Sequence, residues 1–312
     1  MKTISGKISD APEAVTLIDA HHHLWNLSMA RHPWLGDHPE TGFFLGDYSP
    51  LKRNYLPADY LKDSSGHNVL ATVHCEAEWD RTDQVGETRW ISALHAQHGF
   101  PSAIIAHAWF HTASDILEQQ AAFPLVRGVR SKPVTVAGAG EKPTGGPGTM
   151  RDDKWLAGLS RLERYGLSFD LRVPYWHLAE AASVAAQFPN IPMVLNHTGF
   201  PWDRSADGLK AWRAAMETIA RQPNMHLKIS EFGLRDQPWD YDSNRVVLRD
   251  ALAIFGVERC MFATNFPVAG LRVSYDALVR AVARMVSDQP AADREALFWR
   301  NAARFYRIAI EA

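Results

Sequence analysis

The sequence predicts a (β/α)8 barrel (a TIM barrel) of the α/β class, because short apolar runs alternate with helical patterns along the whole chain of 312 residues. Eight such runs are present, and most of their residues are apolar. This pattern is typical of parallel strands that are covered on both faces. No Gly-x-Gly-x-x-Gly motif opens a helix after the first run, which argues against a dinucleotide-binding sheet. Because no long linker divides the chain, we expect one barrel domain over residues 1–312.

The predicted strands follow one another at a rough period. In chain order they are Val15–Ala20, Val69–Cys75, Ala103–Trp109, Leu125–Val129, Leu167–Leu171, Met193–Leu195, Met225–Ile229 and Cys260–Ala263. Apolar residues spaced three to four apart predict helices over Thr88–His98, Lys154–Tyr165, His177–Gln187, Gly208–Arg221, Asn244–Phe255 and Ser274–Val286. Alternation of this kind builds parallel βαβ units, and eight of them fit a closed barrel better than an open sheet.

Two segments are predicted to be long loops at the ends of strands. Residues 31–57 are rich in Pro, Gly and aromatic residues, and we expect them to cover a site after the first strand. Residues 135–148, rich in Gly and Pro, predict a mobile loop after the fourth strand. Substrate selectivity depends on such loops in this fold class, so the sequence does not identify the substrate.

The charge balance argues against a nucleic-acid partner. Lys and Arg number 33 against 35 Asp and Glu, which gives a formal net charge of −2 without any basic run. The apolar stretches are too short to span a bilayer, and the N-terminus lacks the apolar core of a secretory signal. Cys75 and Cys260 are too few for a disulfide framework. We therefore expect a cytoplasmic protein that acts on a small molecule, without a membrane partner and with a homo-oligomer left open.

Three histidines follow the first predicted strand directly. His21, His22 and His23 come after the apolar residues Val15, Leu17 and Ile18. Alternate side chains of an extended chain share a face, so His21 and His23 should project together. Two parallel imidazoles can form half of a divalent-metal site, or a pair of polar clamps for an anionic substrate.

Polar side chains also follow most of the other predicted strands. Because the C-terminal ends of barrel strands converge on one mouth, these side chains are candidates for a shared site. In chain order they are His21, His23, His74, Glu76, His107, Arg127, Arg130, Arg172, His197, Lys228, Ser230, Glu231 and Asn265. Charged groups inside a packed barrel are costly unless they are paired or hydrated, so a purely structural role explains the set poorly.

For some of these residues a structural role is an open alternative. His74 could be a hydrogen-bonded core histidine, and Arg130 could pair with Glu163 or another helix carboxylate instead of clamping a substrate carboxylate. His107 is more typical of a structural or rim residue. Arg127 and Arg130 lie three positions apart in one strand, so at most one of them faces the barrel centre unless a bulge intervenes.

Five segments together resemble the amidohydrolase superfamily, in particular its lactonase-like "amidohydrolase 2" branch. They are Asp19–Trp25, Val129–Arg130, Leu195–Gly199, Lys228–Ser230 and Asn301–Tyr306. The resemblance extends over nearly all of the chain. It implies a TIM-barrel hydrolase that opens small, often carboxylated or sugar-derived lactones. It also implies that His21, His23 and His197 surround the reacting carbonyl, either directly or as ligands of one divalent ion, with zinc expected and no metal as the alternative.

At the end of the eighth strand the chain departs from that family pattern. Asn265 stands where the typical lactonase has an aspartate, and an amide cannot act as a general base near neutral pH. Glu231, one strand away, could take over, although it starts on the outer side of the strand if Ser230 faces the centre. The predicted catalytic residues are therefore His197, Glu231, Asn265 and Glu76. The predicted substrate-binding residues are His74, Arg130, Arg172 and His177.

The favoured hypothesis is a lactone hydrolase in which the histidine cluster polarises the carbonyl that water attacks. Two other functions stay open at this stage. One is a metal-dependent decarboxylase of a small aromatic or muconate-like acid, which the missing carboxylate of the eighth strand disfavours. The other is a ligand-binding barrel whose catalytic centre has decayed, which the intact histidines disfavour.

Overall fold

The computed structural model describes residues 14–111 and 114–310, and it shows eight parallel strands in one sheet whose order follows the chain. The strands are β1 (Thr16–His22), β2 (Asn68–Cys75), β3 (Ala103–His107), β4 (Val126–Arg130), β5 (Ser168–Leu171), β6 (Met193–Leu195), β7 (Met225–Ile229) and β8 (Cys260–Phe262). This arrangement confirms the predicted (β/α)8 barrel. Within the described residues, no helix combines the length and apolar character needed to cross a membrane.

The helices alternate with the strands and surround them. They are α1 (Pro57–Ser64), α2 (Gly86–His98), α3 (Ser114–Ala121), α4 (Asp153–Arg164), α5 (Leu178–Gln187), α6 (Ala206–Ala220), α7 (Tyr241–Phe255), α8 (Tyr275–Met285), α9 (Ala291–Glu295) and α10 (Asn301–Tyr306). The six helices predicted from periodicity are all present within a few residues of the expected bounds. The short helices α1, α3 and α9 were not predicted, because segments of eight residues or fewer show little of the helical period, whereas α10 covers Asn301–Tyr306, the last segment of the family resemblance.

Backbone hydrogen bonds bring β1 and β8 together and nearly close the barrel. The N–H of Asn265 donates to the carbonyl of His21 over 2.8 Å. The N–H of His23 donates to the carbonyl of Phe266 over 2.7 Å. We refer to this contact between residues 19–23 and residues 264–266 as the β1–β8 seam.

A buried carboxylate reinforces the β1–β8 seam from within β1. Asp19 accepts hydrogen bonds from the backbone N–H of Thr264 at 2.9 Å and from its hydroxyl at 2.6 Å. The hydroxyl of Tyr60 in α1 donates to the same carboxylate over 2.9 Å. Burial raises the pKa of Asp19 to about 6, and these donors partly offset that effect. The seam therefore depends on the carboxylate of Asp19, whose hydrogen bonds to protein donors replace the bonds to water that it loses on burial.

The strands separate two apolar layers. The outer layer lies between strands and helices and includes Phe169 and Leu171 of β5. The inner layer fills the barrel, and Phe305 and Tyr306 of α10 belong to it. Because side chains alternate along a strand, Asp170 between Phe169 and Leu171 points toward the barrel interior.

The structure also settles where the strands begin and end. β1 continues to His22, beyond the predicted end at Ala20, whereas β3 stops at His107 and does not reach Trp109. Arg130 is buried in the barrel, while Arg127 is half-buried and donates to the carbonyl of Pro124. The two arginines therefore lie on opposite faces, as their spacing predicts. The N-terminal residues used to argue against a secretory signal lie outside the described residues.

Removing one donor to Asp19 should weaken the barrel. In Thr264→Val the shape is kept, but the carboxylate loses its hydroxyl donor in a fully buried place. We expect the free energy of unfolding to fall by about 1–3 kcal/mol. Urea unfolding followed by circular dichroism measures this, with Thr218→Val as the control because the hydroxyl of Thr218 bonds only within its own helix. Equal stability of the two variants would contradict a role for Asp19 in the seam.

Candidate active site

A cavity lies at the C-terminal ends of the strands. Its lining combines histidines, cations and aromatic rings: His23, Trp25, Trp34, Glu40, Phe43, Phe44, Ala77, Glu78, Arg130, Lys132, Arg172, His197, Asn265 and Val268. The first βα loop, which was expected to cover the site, contributes Trp34, Glu40, Phe43 and Phe44 to this lining.

His21 and His23 at the end of β1 form the deepest part of the site. Their Nε2 atoms are 3.3 Å apart, and Nδ1 of His23 donates to the carbonyl of Cys75 over 2.7 Å. Nδ1 of His21 faces the ammonium of Lys228 at 3.3 Å. Burial lowers the pKa of both imidazoles well below the usual value, and the nearby charges of Lys228 and Arg130 lower it further. Both rings are therefore neutral at physiological pH.

His197 and Asn265 reach this group from short turns that follow β6 and β8. Both adopt left-handed backbone conformations, with φ of 59° at His197 and 58° at Asn265. Such conformations are costly for residues other than glycine and tend to occur at functional sites. The rings of His197 and His21 lie 4.7 Å apart, and Oδ1 of Asn265 lies 3.1 Å from Nε2 of His23. These turns bring residues distant in sequence onto one histidine pair.

Glu231 lies behind Asn265 and does not line the cavity itself. β7 ends at Ile229, and Glu231 has a left-handed φ of 51°, so the strand's alternation no longer governs where its side chain points. The amide of Asn265 donates to Oε2 of Glu231, and the N–H of Gly233 donates to Oε1 over 3.2 Å. Burial raises the pKa of Glu231 to about 7. Because Glu231 lies in a turn after β7, the expectation that its side chain starts on the outer side of the strand no longer applies.

Glu76 is the ion-pair partner of Arg130, so the suggested pairing of Arg130 with Glu163 is wrong. Nε of Arg130 donates to Oε1 of Glu76 over 2.6 Å, and Arg81 donates to Oε2 over 2.9 Å. Burial raises the pKa of Glu76, but the charges of Arg130, Arg81 and Lys132 outweigh it and hold that pKa well below its usual range. A carboxylate held in this way is a weak base.

Arg172 follows β5 and enters the cavity between two aromatic rings. Its guanidinium carbon lies 4.9 Å from the ring centroid of Phe200 and 5.6 Å from that of Phe44. Within the described residues, no carboxylate forms an ion pair with it. Burial lowers its pKa to about 10, so it remains a cation at neutral pH. An unpaired guanidinium on a cavity wall is suited to bind an anionic group.

Two predicted substrate-binding residues lie away from the cavity lining. His74 is fully buried, and its Nε2 lies 3.0 Å from Oε1 of Glu87. Nδ1 of His177 lies 3.0 Å from Oε2 of Glu180, and its Nε2 accepts from the N–H of Val136 over 3.0 Å. Nε2 of His74 and both ring nitrogens of His177 have protein partners, which fits the structural alternative for His74.

Three further residues at or near the site, Lys132, Glu40 and Asp170, were not predicted from the sequence. Lys132 lies two positions after Arg130, so the same-face spacing of a strand could have indicated it. Asp170 is a lone carboxylate inside an apolar strand, which is itself a signal of a buried polar partner. Glu40 and the aromatic loop residues carry no such signal, because their position depends on loop conformation.

The donors around His23 fit a divalent ion. Two ligands about 2.1 Å from a tetrahedral zinc are separated by roughly the 3.3 Å observed between the Nε2 atoms of His21 and His23. Oδ1 of Asn265 and Nε2 of His23 both act as acceptors and face each other at 3.1 Å, an arrangement that a cation would satisfy. A second group of ligating atoms, from His21, Cys75 and Asp170, lies within 4.8 Å. There burial raises the pKa of Cys75 to about 12, which disfavours the thiolate that metals bind.

Comparison with known proteins places the chain among hydrolases. The family model described as amidohydrolase matches residues 18–308. A protein named as uncharacterised, y4mH of Sinorhizobium fredii, is 36% identical over 296 residues, covering 94% of this chain and 99% of its own length. An L-fucono-1,5-lactonase of Burkholderia multivorans is 26% identical over 307 residues, covering 93% of this chain and 96% of its own length.

A solved structure supports the same conclusion. The crystal structure of an amidohydrolase from Burkholderia multivorans with bound zinc superposes with a TM-score of 0.78 at 25% identity. The match covers 95% of this chain and 100% of the other.

The ion pair of Glu76 with Arg130 should contribute strongly to stability. Glu76→Ala leaves a guanidinium that is 3% exposed without its partner, so we expect the free energy of unfolding to fall by about 3–5 kcal/mol. Glu163→Ala is the matched control, since Glu163 is exposed and accepts only from Asn190. Chemical unfolding of both variants checks this, and a larger loss in Glu163→Ala would contradict the assignment of the pair.

Proposed function

This protein belongs to the amidohydrolase family, and from that premise we propose that it hydrolyses a small lactone that carries a carboxylate. The observation that supports this most is that the cavity has neutral polar groups at one end and a cation on its wall. Neutral His23 and His197 with Asn265 lie at one end, and the unpaired guanidinium of Arg172 lies on a wall. The first end suits a carbonyl, and the guanidinium suits an anion. The lactonase relative supports a lactone as the substrate.

Substrate binding starts from the cations and rings of the cavity wall. Arg172 would bind the carboxylate through paired hydrogen bonds, and Lys132, which is paired with Glu78, would add positive potential beside it. Trp25, Trp34 and Phe43 would pack against the lactone ring. Arg130 is held by Glu76 and so contributes mainly a fixed positive potential.

The carbonyl would be polarised from the histidine end. Nδ1 of His197 lies 3.0 Å from the hydroxyl of Ser230. When that hydroxyl donates, the proton of the neutral imidazole is on Nε2, where it can donate to the carbonyl oxygen. A divalent ion bound by His21, His23 and Asn265 would add Lewis-acid polarisation of the same carbonyl.

Glu231 would be the general base. Ionised Glu231 would accept one proton from a water that enters beside Asn265 at the edge of the cavity and contacts the carboxylate directly, and the water oxygen would form a bond to the carbonyl carbon. When the tetrahedral intermediate collapses, the ring C–O bond breaks and the leaving oxygen takes the proton back from Glu231. A base with a pKa near 7 suits both transfers. The decarboxylase alternative remains a prediction that no contact in this cavity favours.

The central test is hydrolysis of a panel of carboxylated lactones and neutral aldonolactones, followed by acid release in weakly buffered indicator solution. We expect kcat/KM to rise roughly tenfold per pH unit up to about pH 7 and then to level off, because only ionised Glu231 accepts the proton. Glu231→Gln should lower kcat by at least about 100-fold. Exposed Glu217→Gln on α6 is the control. Unchanged turnover in Glu231→Gln would remove Glu231 from the mechanism, and inactivity on every lactone would overturn the function itself.

Arg172 should determine the preference for an anion. Arg172→Met removes the charge but keeps a long side chain between Phe44 and Phe200. We expect KM for a carboxylated lactone to rise about 10- to 100-fold, with little change for a neutral lactone, because a charge-assisted hydrogen bond is lost. Arg164→Met, at an exposed position on α4, is the control. Equal losses on both kinds of lactone would show that Arg172 does not recognise the carboxylate.

A further inference from the structure

A lysine ammonium lies at the centre of the barrel. Lys228 of β7 is fully buried between the apolar residues Leu227 and Ile229 in the chain. Its Nζ lies 2.5 Å from Oδ2 of Asp170 and 3.3 Å from Nδ1 of His21. The mechanism above leaves this residue without a task, although burying an ammonium is expensive.

The partner carboxylate is itself fixed in place. The hydroxyl of Tyr306 lies 3.2 Å from Oδ1 of Asp170, and the amide of Asn196 donates to Oδ2 over 3.1 Å. The ring centroid of Tyr306 also lies 5.2 Å from Nζ of Lys228. Hydrogen bonds from several elements thus hold the ion pair in one arrangement.

This ion pair determines which nitrogen of His21 carries the proton. An ammonium has donors only, so Nδ1 of His21 must accept from Lys228 and cannot carry a proton. The neutral ring of His21 then carries its proton on Nε2, and this N–H donates a hydrogen bond to Nε2 of His23, 3.3 Å away. Nδ1 of His23 in turn donates to the carbonyl of Cys75. The result is a directed chain of hydrogen bonds from Lys228 to the backbone of β2.

We propose that Lys228 is a built-in cation that fixes this tautomer of His21 and so competes with a divalent metal for the histidine pair. To bind a metal through Nε2, His21 has to carry its proton on Nδ1, where it would meet the Lys228 ammonium at 3.3 Å. The ammonium also opposes the charge of the metal across one imidazole ring. Asp170, which could otherwise serve as a ligand, is already paired. Lys228 is thus a positioning residue that weakens metal binding, whichever lactone the protein hydrolyses.

Zinc titration of the metal-free protein tests this proposal directly. We expect Lys228→Met to bind zinc more than about tenfold more tightly than the wild type in isothermal titration calorimetry, because one competing charge is removed. Lys210→Met, on the exposed face of α6, should match the wild type. Equal or weaker zinc binding by folded Lys228→Met would overturn the proposal.

A second variant covers the case in which Lys228→Met fails to fold because Asp170 is left buried without its partner. Lys228→Met combined with Asp170→Asn removes both charges, and it should fold and bind zinc more tightly than the wild type. Nitrogen-15 NMR of labelled histidine gives an independent readout in the wild type, where Nδ1 of His21 should be unprotonated. A proton on Nδ1 of His21, or zinc binding by the folded double variant no tighter than that of the wild type, would overturn the proposal.

Discussion

The β1–β8 seam is the contact on which the rest of the site depends. One pair of backbone hydrogen bonds across it places Asn265 against His21 and His23, and Asp19 holds the same two segments together from below. This contact both nearly closes the sheet and joins the ends of the candidate active site. Folding stability and the geometry of the histidine group therefore have the same origin.

The sequence predicts the barrel well because its signals are local and repeated. Continuous apolar strands and long amphipathic helices arise from burial patterns that each segment shows by itself. The residues that come together at the strand ends follow from the same topology, and His23, Arg130, Arg172, His197 and Asn265 line one cavity as that topology requires.

What the sequence does not predict is the direction of individual side chains once a strand has ended. Glu231 turns toward Asn265 through a left-handed residue, and His177 turns away to Glu180. The sequence also does not predict which carboxylate forms the ion pair with Arg130, because Glu76 and Glu163 are equally plausible partners until the fold is known. Only the approach of β2 to β4 across β3 decides between them.

In the proposed function, the position of Arg172 would link substrate affinity to the order of the first βα loop. Its guanidinium packs against Phe44 of that loop on one side and against Phe200 of the barrel on the other. A ligand bound to Arg172 thereby meets a loop that is already partly immobilised, and less conformational entropy is lost on binding. Selection on loop composition can then change affinity for anions without altering any residue that carries out the chemistry. In this barrel, recognition can evolve separately from reactivity through a single aromatic contact.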